Sequence, residues 1–345
     1  MIHYLCLCFQ TLRNSFRDRS VDCVISLKSK IETIQLSTDW PVGPVNVFLV
    51  YGEKLTLVDA GRKLGKAWDE FNTALKALGL NVKDIEQIVL THHHGDHVGL
   101  LEYILDANPI PVYAHANCRP YLTKDVIHSE NTYRFFKGFY TEFGLAEQLS
   151  HELASFKGWD QPFNRKIDIS KDLNEGEQLP GLTGWRVIDT KGHAQSHISL
   201  YNSVDKVLIA GDHLIKHIPA GIFLEPPIEP ETERSRPLIQ YVDNLKKLVE
   251  YPIQITLSGH GEPIDNSREL INETLEKIDK RAARVRSMLL DGKKNGYQLV
   301  KKLYPGRFEG AMTLLASDTI GLLDLLEDRG EIVAQNEDGV IYYST

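Results

Sequence analysis

The sequence predicts an α/β layered sandwich, on three observations. Short β-rich runs fall into two groups, one ahead of His115 and one between Trp185 and Gly261. Helical periodicities accompany each group. Several of the strands end directly on histidine or aspartate, where α/β proteins place ligand chemistry.

Taken in order, "VNVFLVY" and "KLTLVDAG" are β-rich runs separated by Gly52-Glu53, and read as a hairpin ending at Asp59 and Gly61. Trp68, Phe71, Leu75 and Leu78 then recur at helical spacing until Gly79 stops the helix. "IEQIVL" is a buried strand running into "THHHGDH", and "HVGLLEYIL" starts a helix that ends before Pro109. "IPVYAH" is a further strand, followed by a helix-rich, aromatic stretch over about 119–159. Strands return in "WRVID", "HISLYN" and "KVLIAGD"; a helix carrying Leu238, Tyr241, Leu245 and Leu248 ends at Pro252, and "IQITLSGHG" gives one more strand. Past Asn266 the texture changes to a helix over Ser267 to Leu290, the short helices "YQLVKKLY" and "LLDLLEDRG", and the hairpin "EIVAQNEDGVIYYS". These divide the chain into an N-terminal extension (1–31), a sandwich domain (32–266) with a helical insert at about 119–178, and a small winged-helix-like module (267–345).

At 345 residues, 42% hydrophobic and 25% charged, the chain is long enough for a large core, and its net charge of -8 does not call for a polyanionic partner. Cys6, Cys8, Cys23 and Cys118 show no disulfide framework, which fits a reduced, cytoplasmic setting. No run of 18 apolar residues is present, and the first residues place an apolar stretch before basic ones, the reverse of a signal peptide. A membrane span and secretion are therefore not expected.

The polar strand ends carry the chemistry. His92, His94, Asp96 and His97 stand together, and His193, Asp212 and His260 each follow a glycine that lets the side chain approach a shared point. Imidazoles and carboxylates in this number are metal ligands. His92, His94 and His193 form one set, Asp96, His97 and His260 a second, and Asp212 has one oxygen for each. Such donors suit zinc first, with iron and manganese as alternatives. Two dications exceed the charge of two aspartates and a bridging hydroxide, and the surplus suits an oxyanion.

The pattern His92-x-His94-x-Asp96-His97, followed by Gly192-His193, Gly211-Asp212 and Gly259-His260-Gly261, resembles the metallo-β-lactamase superfamily over roughly Glu32 to Asp265. The resemblance implies an αββα sandwich with two divalent metal ions at one edge, and a hydrolase. It further implies that Asp59 in "LVDAG" orients a histidine ligand from behind. Histidine at His97 is similar to the glyoxalase II, lactonase and nuclease branches, and histidine at His94 favours hydrolysis over oxygen chemistry. The implied reaction is attack of a metal-bridging hydroxide on a carbonyl substrate (ester, thioester or lactone), with Asp96 orienting or moving a proton. The alternative is a phosphodiesterase or endoribonuclease, because the C-terminal module resembles the tail of lactamase-beta-2-like proteins.

Among the other histidines, His93 is expected to face away from the ligands; His115, His197, His213 and His217 to support or pack; His128 and His151 to lie on the surface. Tyr121, Tyr133, Phe135, Phe136, Phe139, Tyr140, Phe143, Phe156 and Trp159 crowd the insert, either as a lid with an apolar wall or as packing. From Arg268 onward 12 Lys and Arg meet 13 Asp and Glu, without the basic footprint of a nucleic-acid reader. A small-molecule substrate is the expected partner, and the tail packs on the sandwich or makes a homodimer contact.

Overall fold

The structure, a computed structural model, describes residues 29–147, 149, 163–229, 232–306 and 312–345. The proposed extension up to residue 28, with Cys6, Cys8 and Cys23, and the insert residues His151, Phe156 and Trp159 lie outside the described residues.

Strands β1 (Ile31–Leu36), β2 (Val45–Val50), β3 (Thr56–Val58), β4 (Gln87–Val89), β5 (Val112–Ala114) and β6 (Lys171–Asp172) form a six-stranded sheet in that order. The first three pair antiparallel and β3 to β6 pair parallel. β6 falls within the stretch expected to be a helical insert; two residues carry too little alternation to mark a strand. The second sheet runs β10 (Ile255–Ser258), β9 (Val207–Gly211), β8 (Ile198–Asn202), β7 (Trp185–Asp189).

Side-chain alternation along the strands builds the layers. In β2, Val45, Val47 and Leu49 point to one side, where helix α1 (Gly65–Ala77) buries Phe71 and Leu75 and helix α3 (Leu101–Ala107) buries Leu101 and Ile104. Phe48 and Val50 point the other way and meet Trp185, Val187, Leu200 and Ile209 of the second sheet. Burying a side chain such as Phe48 fully contributes about 2 kcal/mol. The far side of the second sheet, through Leu208 and Ala210, packs against helix α6 (Pro237–Val249), which buries Leu238, Tyr241, Leu245 and Leu248 as the periodicity predicts. The four layers are helix, sheet, sheet and helix, the predicted αββα sandwich.

In the insert, α4 (Arg119–Leu122) precedes α5 (Val126–Glu142). Phe136, Phe139, Tyr140 and Phe143 at helical spacing pack into the same core as α6 and the C-terminal helices. Those four aromatics are packing rather than a wall. His128, expected on the surface, is buried at 8% exposure with its ring edge-on to Tyr121 at 4.9 Å. The first turn of α5 folds onto α4, which helical spacing alone does not reveal.

The C-terminal segment comprises α7 (Ser267–Leu289), β11 (Lys294–Asn295), α8 (Gly296–Leu303), α9 (Met312–Asp328) and the hairpin β12 (Val333–Glu337) and β13 (Val340–Ser344), with β11, β13 and β12 in one small sheet. Its apolar faces join the core of the second sheet, and Phe143 of the insert stacks on Tyr343. Among the described residues no helix is long and apolar enough to cross a membrane.

Candidate metal centre

Four strands deliver most of the site to one edge. Asp59 follows β3, the histidine run follows β4, Asp212 follows β9 and His260 follows β10. His193 arrives on the turn between β7 and β8. The short helix α2 (Gly95–Val98) starts immediately after His94 and turns Asp96 and His97 back toward His92.

Two glycines make the approach possible. Gly211 has φ 51°, and a Cβ there would stand 2.7 Å from His197 Nε2. A Cβ on Gly259 would overlap the Asp212 carboxylate and sit 2.9 Å from the His97 ring. The sequence reading of these glycines as room for converging side chains holds in the geometry.

Four of the five histidines, His92, His97, His193 and His260, are fixed through the ring nitrogen that faces away from the centre. Thr91 donates its hydroxyl proton to Asp59 Oδ2 at 2.8 Å, so the 3.0 Å contact with His92 Nδ1 has the ring as donor. His97 Nδ1 meets Asp59 Oδ2 at 2.8 Å, His260 Nδ1 the Pro44 carbonyl at 2.8 Å, and His193 Nδ1 the Gly221 carbonyl at 2.6 Å. With Nδ1 protonated, Nε2 of each ring presents a lone pair inward. His92 Nε2, His97 Nε2, His260 Nε2 and Asp212 Oδ1 are buried without a hydrogen-bond partner. Buried polar atoms are rarely left so, and four of them within one cluster mark a place for cations.

The convergent groups among the described residues are His92–His94–His193, His92–His97–Asp212, Asp96–His97–His260 and, beside them, His93–His94–Glu225, the ligand atoms of each lying within 4.8 Å of one another. His94 Nδ1 and His193 Nε2 stand 2.9 Å apart. Asp212 links the halves: its Oδ1 is 3.4 Å from His97 Nε2, and its Oδ2 is 3.6 Å from His193 Nε2 and 3.5 Å from His260 Nε2. All seven sequence-predicted ligands are thus brought together, and Asp59 lies behind His97 as the resemblance implies. The donors fit divalent metal ions, and the chain carries a His/Asp metal-binding cluster.

The two halves differ electrostatically. Burial keeps His92 and His193 below the ordinary imidazole range and pushes His94 down to about 3, so all three stay neutral and able to ligate. Burial would also lower His97 and His260, but carboxylates outweigh it: Asp212, Asp96 and Asp59 raise His97, and the Asp212 and Asp96 carboxylates facing His260 Nε2 push that ring up to about 9. Asp96 and Asp212 are held below the usual carboxylate range because those histidine contacts exceed the cost of burial. The carboxylate-bearing half calls for positive charge.

His197 supports, as expected, and two further features escaped the sequence reading. His197 accepts the Asp212 backbone N–H at 3.0 Å and contacts Thr190 Oγ1 at 2.8 Å, fixing the turn that carries Asp212. Phe223 stands edge-on to His94 and His193, with ring centroids 5.1 and 5.4 Å away, and is an aromatic group beside the cluster. Finally, His93, expected to face away, stays beside His94 and enters a polar pocket: its Nδ1 meets Ser196 Oγ at 2.7 Å, its ring stacks on Tyr121 at 3.5 Å, Glu225 Oε1 lies 3.8 Å from Nε2, and His93, His94 and Glu225 offer ligand atoms within 4.8 Å of one another. Burial pushes the Glu225 carboxyl up to about 8. No strand or helix period runs through 221–225, so nothing local marked it.

The family model described as the metallo-beta-lactamase superfamily matches residues 40–260. The chain is similar to the probable metallo-hydrolase YqjP of Bacillus subtilis, 34% identical over 318 residues that cover 90% of this chain and 97% of that protein. A hydroxyacylglutathione hydrolase of Alkalilimnicola ehrlichii is 28% identical over 162 residues, 46% of this chain and 44% of that enzyme. Among solved structures, the metallo-beta-lactamase family protein TTHA1429 from Thermus thermophilus matches with a TM-score of 0.73 at 24% identity, over 91% of this chain and 98% of that one, a likeness of fold.

Proposed function

The chain belongs to the metallo-beta-lactamase superfamily and is a metallo-hydrolase, and from that premise we propose that it cleaves a carbonyl substrate, a thioester or lactone, at a centre of two divalent ions. The observation that carries the reading is the set of buried, partnerless nitrogens and carboxylate oxygen shared between two ligand groups. His92, His94 and His193 would hold one ion, Asp96, His97 and His260 the other, and Asp212 both. When bound, the ions supply a hydroxide nucleophile near neutral pH and positive charge for the oxyanion that develops on the carbonyl. Zinc is the first expectation, with iron and manganese equally served by these donors.

The remaining steps belong to the chain's own groups. Asp59, with both oxygens engaged by the Thr91 N–H and hydroxyl and by His97, holds two histidines in the ligating tautomer. We assign Asp96 the proton released at the nucleophile: its Oδ2 faces His260 Nε2 at 3.2 Å, and its Oδ1, 3.9 Å from His97 Nε2, is the freer oxygen. Phe223 presents an apolar edge beside His94 and His193, which suits a substrate with an apolar arm. The relative whose name states hydrolysis of a hydroxyacylglutathione, a thioester, supports the same class. The near-neutral charge after Arg268 speaks against RNA as substrate.

The test is hydrolysis by the metal-loaded chain of a panel of thioesters and lactones beside a single-stranded RNA. Metal-dependent carbonyl cleavage with intact RNA is expected. Cleavage of RNA alone would overturn the substrate class and promote the phosphodiesterase reading.

A further inference from the structure

The segment Gly221–Glu225, "GIFLE", has two faces. Its odd residues turn to the metal cluster: the Gly221 carbonyl takes the proton of His193 Nδ1, Phe223 stands edge-on to His94 and His193, and Glu225 accepts the Gln195 N–H at 3.1 Å while facing His93. Its even residues, Ile222 and Leu224, are buried in the core shared with α6 and the C-terminal helices. A Cβ at residue 221 would stand 2.8 Å from the Phe223 ring, so glycine there makes room for that ring.

What fixes this segment comes from the C-terminal module. Ser317 of α9, 6% exposed, accepts the Leu224 N–H at 2.6 Å and donates to the Ile222 carbonyl at 2.8 Å. One hydroxyl therefore spans the two backbone groups on either side of Phe223, using both its donor and an acceptor position. The continuation of the loop is tied to the same helix, where Arg234 makes a two-pronged pair with Asp324 at 2.7 and 2.5 Å. A module that only covered the sandwich would meet its apolar surface; this one is hydrogen-bonded to the backbone that orients a ligand.

We propose that the C-terminal module is a positioning element of the metal centre, acting through Ser317 on the segment 221–225 and from there on His193 and Phe223. Ser317 touches neither ion nor substrate; it is a positioning residue. The inference rests on the reading of His193 as a ligand and not on the substrate class. Misplacing the Gly221 carbonyl weakens the preference of His193 for the tautomer with Nε2 free, and the affinity of the ion it holds falls with it.

The experiment is a zinc titration of the full chain by calorimetry, with the absorption spectrum of the cobalt(II)-loaded chain, for wild type, Ser317→Ala and Thr319→Ala. Thr319 is a buried hydroxyl of the same helix bonded to the Leu315 carbonyl, and controls for loss of a polar group there. Ser317→Ala is expected to weaken one ion by about tenfold, the lower end for lost outer partners of a ligand, and to shift the cobalt spectrum, while Thr319→Ala changes neither. Ser317→Cys, with similar volume and weaker hydrogen bonds, replaces the alanine variant should that fail to fold. A wild-type isotherm and spectrum in the Ser317 variant, or an equal loss in Thr319→Ala, would overturn the proposal. The number of ions taken up by wild type reports separately on the two-ion reading, and the variant-to-wild-type ratio still judges the role of Ser317 if only one is bound.

Discussion

Two polar neighbourhoods of this molecule, one partly and one fully buried, are built on opposite principles. Around α9, the Arg234 guanidinium meets both Asp324 oxygens, and Arg281, Tyr304 and Asp318 form a closed triad. At the sheet edge, His92, His97 and His260 each satisfy the outer nitrogen and leave the inner one without a partner, as does one oxygen of Asp212. The first pattern is a structural network, complete in itself. The second is complete only with a cation. Polar burial alone therefore does not mark a site; the direction in which the unsatisfied atoms point does.

This contrast can be broken or sharpened by experiment. The largest effect expected is from chelation: removing the ions abolishes hydrolysis and lowers the thermal midpoint, because ligand held at a thousandfold above its dissociation constant contributes about 4 kcal/mol to stability. A midpoint that ignores chelator would place the cluster with the self-sufficient networks. Next, Asp212→Ala and His94→Ala should each lower kcat/KM by about 100-fold or more, measured on the metal-loaded variants. Asp59→Asn leaves one acceptor oxygen where Thr91 and His97 use two, and should weaken metal binding by roughly tenfold to 100-fold in a competitive titration, with the fold intact by circular dichroism. Asp324→Ala should do the reverse, lowering stability in urea by about 2 kcal/mol while the chain still takes up its metal. Smallest of all, His128→Ala should leave turnover unchanged and alter stability by less than about 1 kcal/mol, since the ring packs on Tyr121 but both its nitrogens lack partners.

Much of the site was legible because most of the expected ligands, His193 on its turn excepted, follow a strand end, and strand ends announce themselves through β-rich runs often followed by glycine. Gly211-Asp212 and Gly259-His260 carry that signal within two residues. The αββα layering was legible for the same reason, from the alternation in β2 and the helical stripe of Tyr241, Leu245 and Leu248. The stripe Phe136, Phe139, Tyr140 and Phe143 was also visible as a helix face, but its partner was not. That partner includes α9 and Tyr343, near the far end of the chain, and only tertiary packing brings them together. Phe223, Glu225 and Ser317 had no local mark: a five-residue extended segment between a metal ligand and a helix has no period, and its two faces are defined by what lies on each side. His128 was misread as exposed for a related reason, since its burial depends on Tyr121 of α4 lying against its ring while Val126 and Ile127 of the same turn stay exposed.

The central claim, two ions shared through Asp212, is tested most directly by elemental analysis of the purified, metal-saturated chain beside its Asp212→Ala variant, with thioester hydrolysis read on the same samples. Two ions per wild-type chain, fewer in the variant and no turnover there are predicted. A single ion in wild type, or wild-type turnover by Asp212→Ala, would contradict the account.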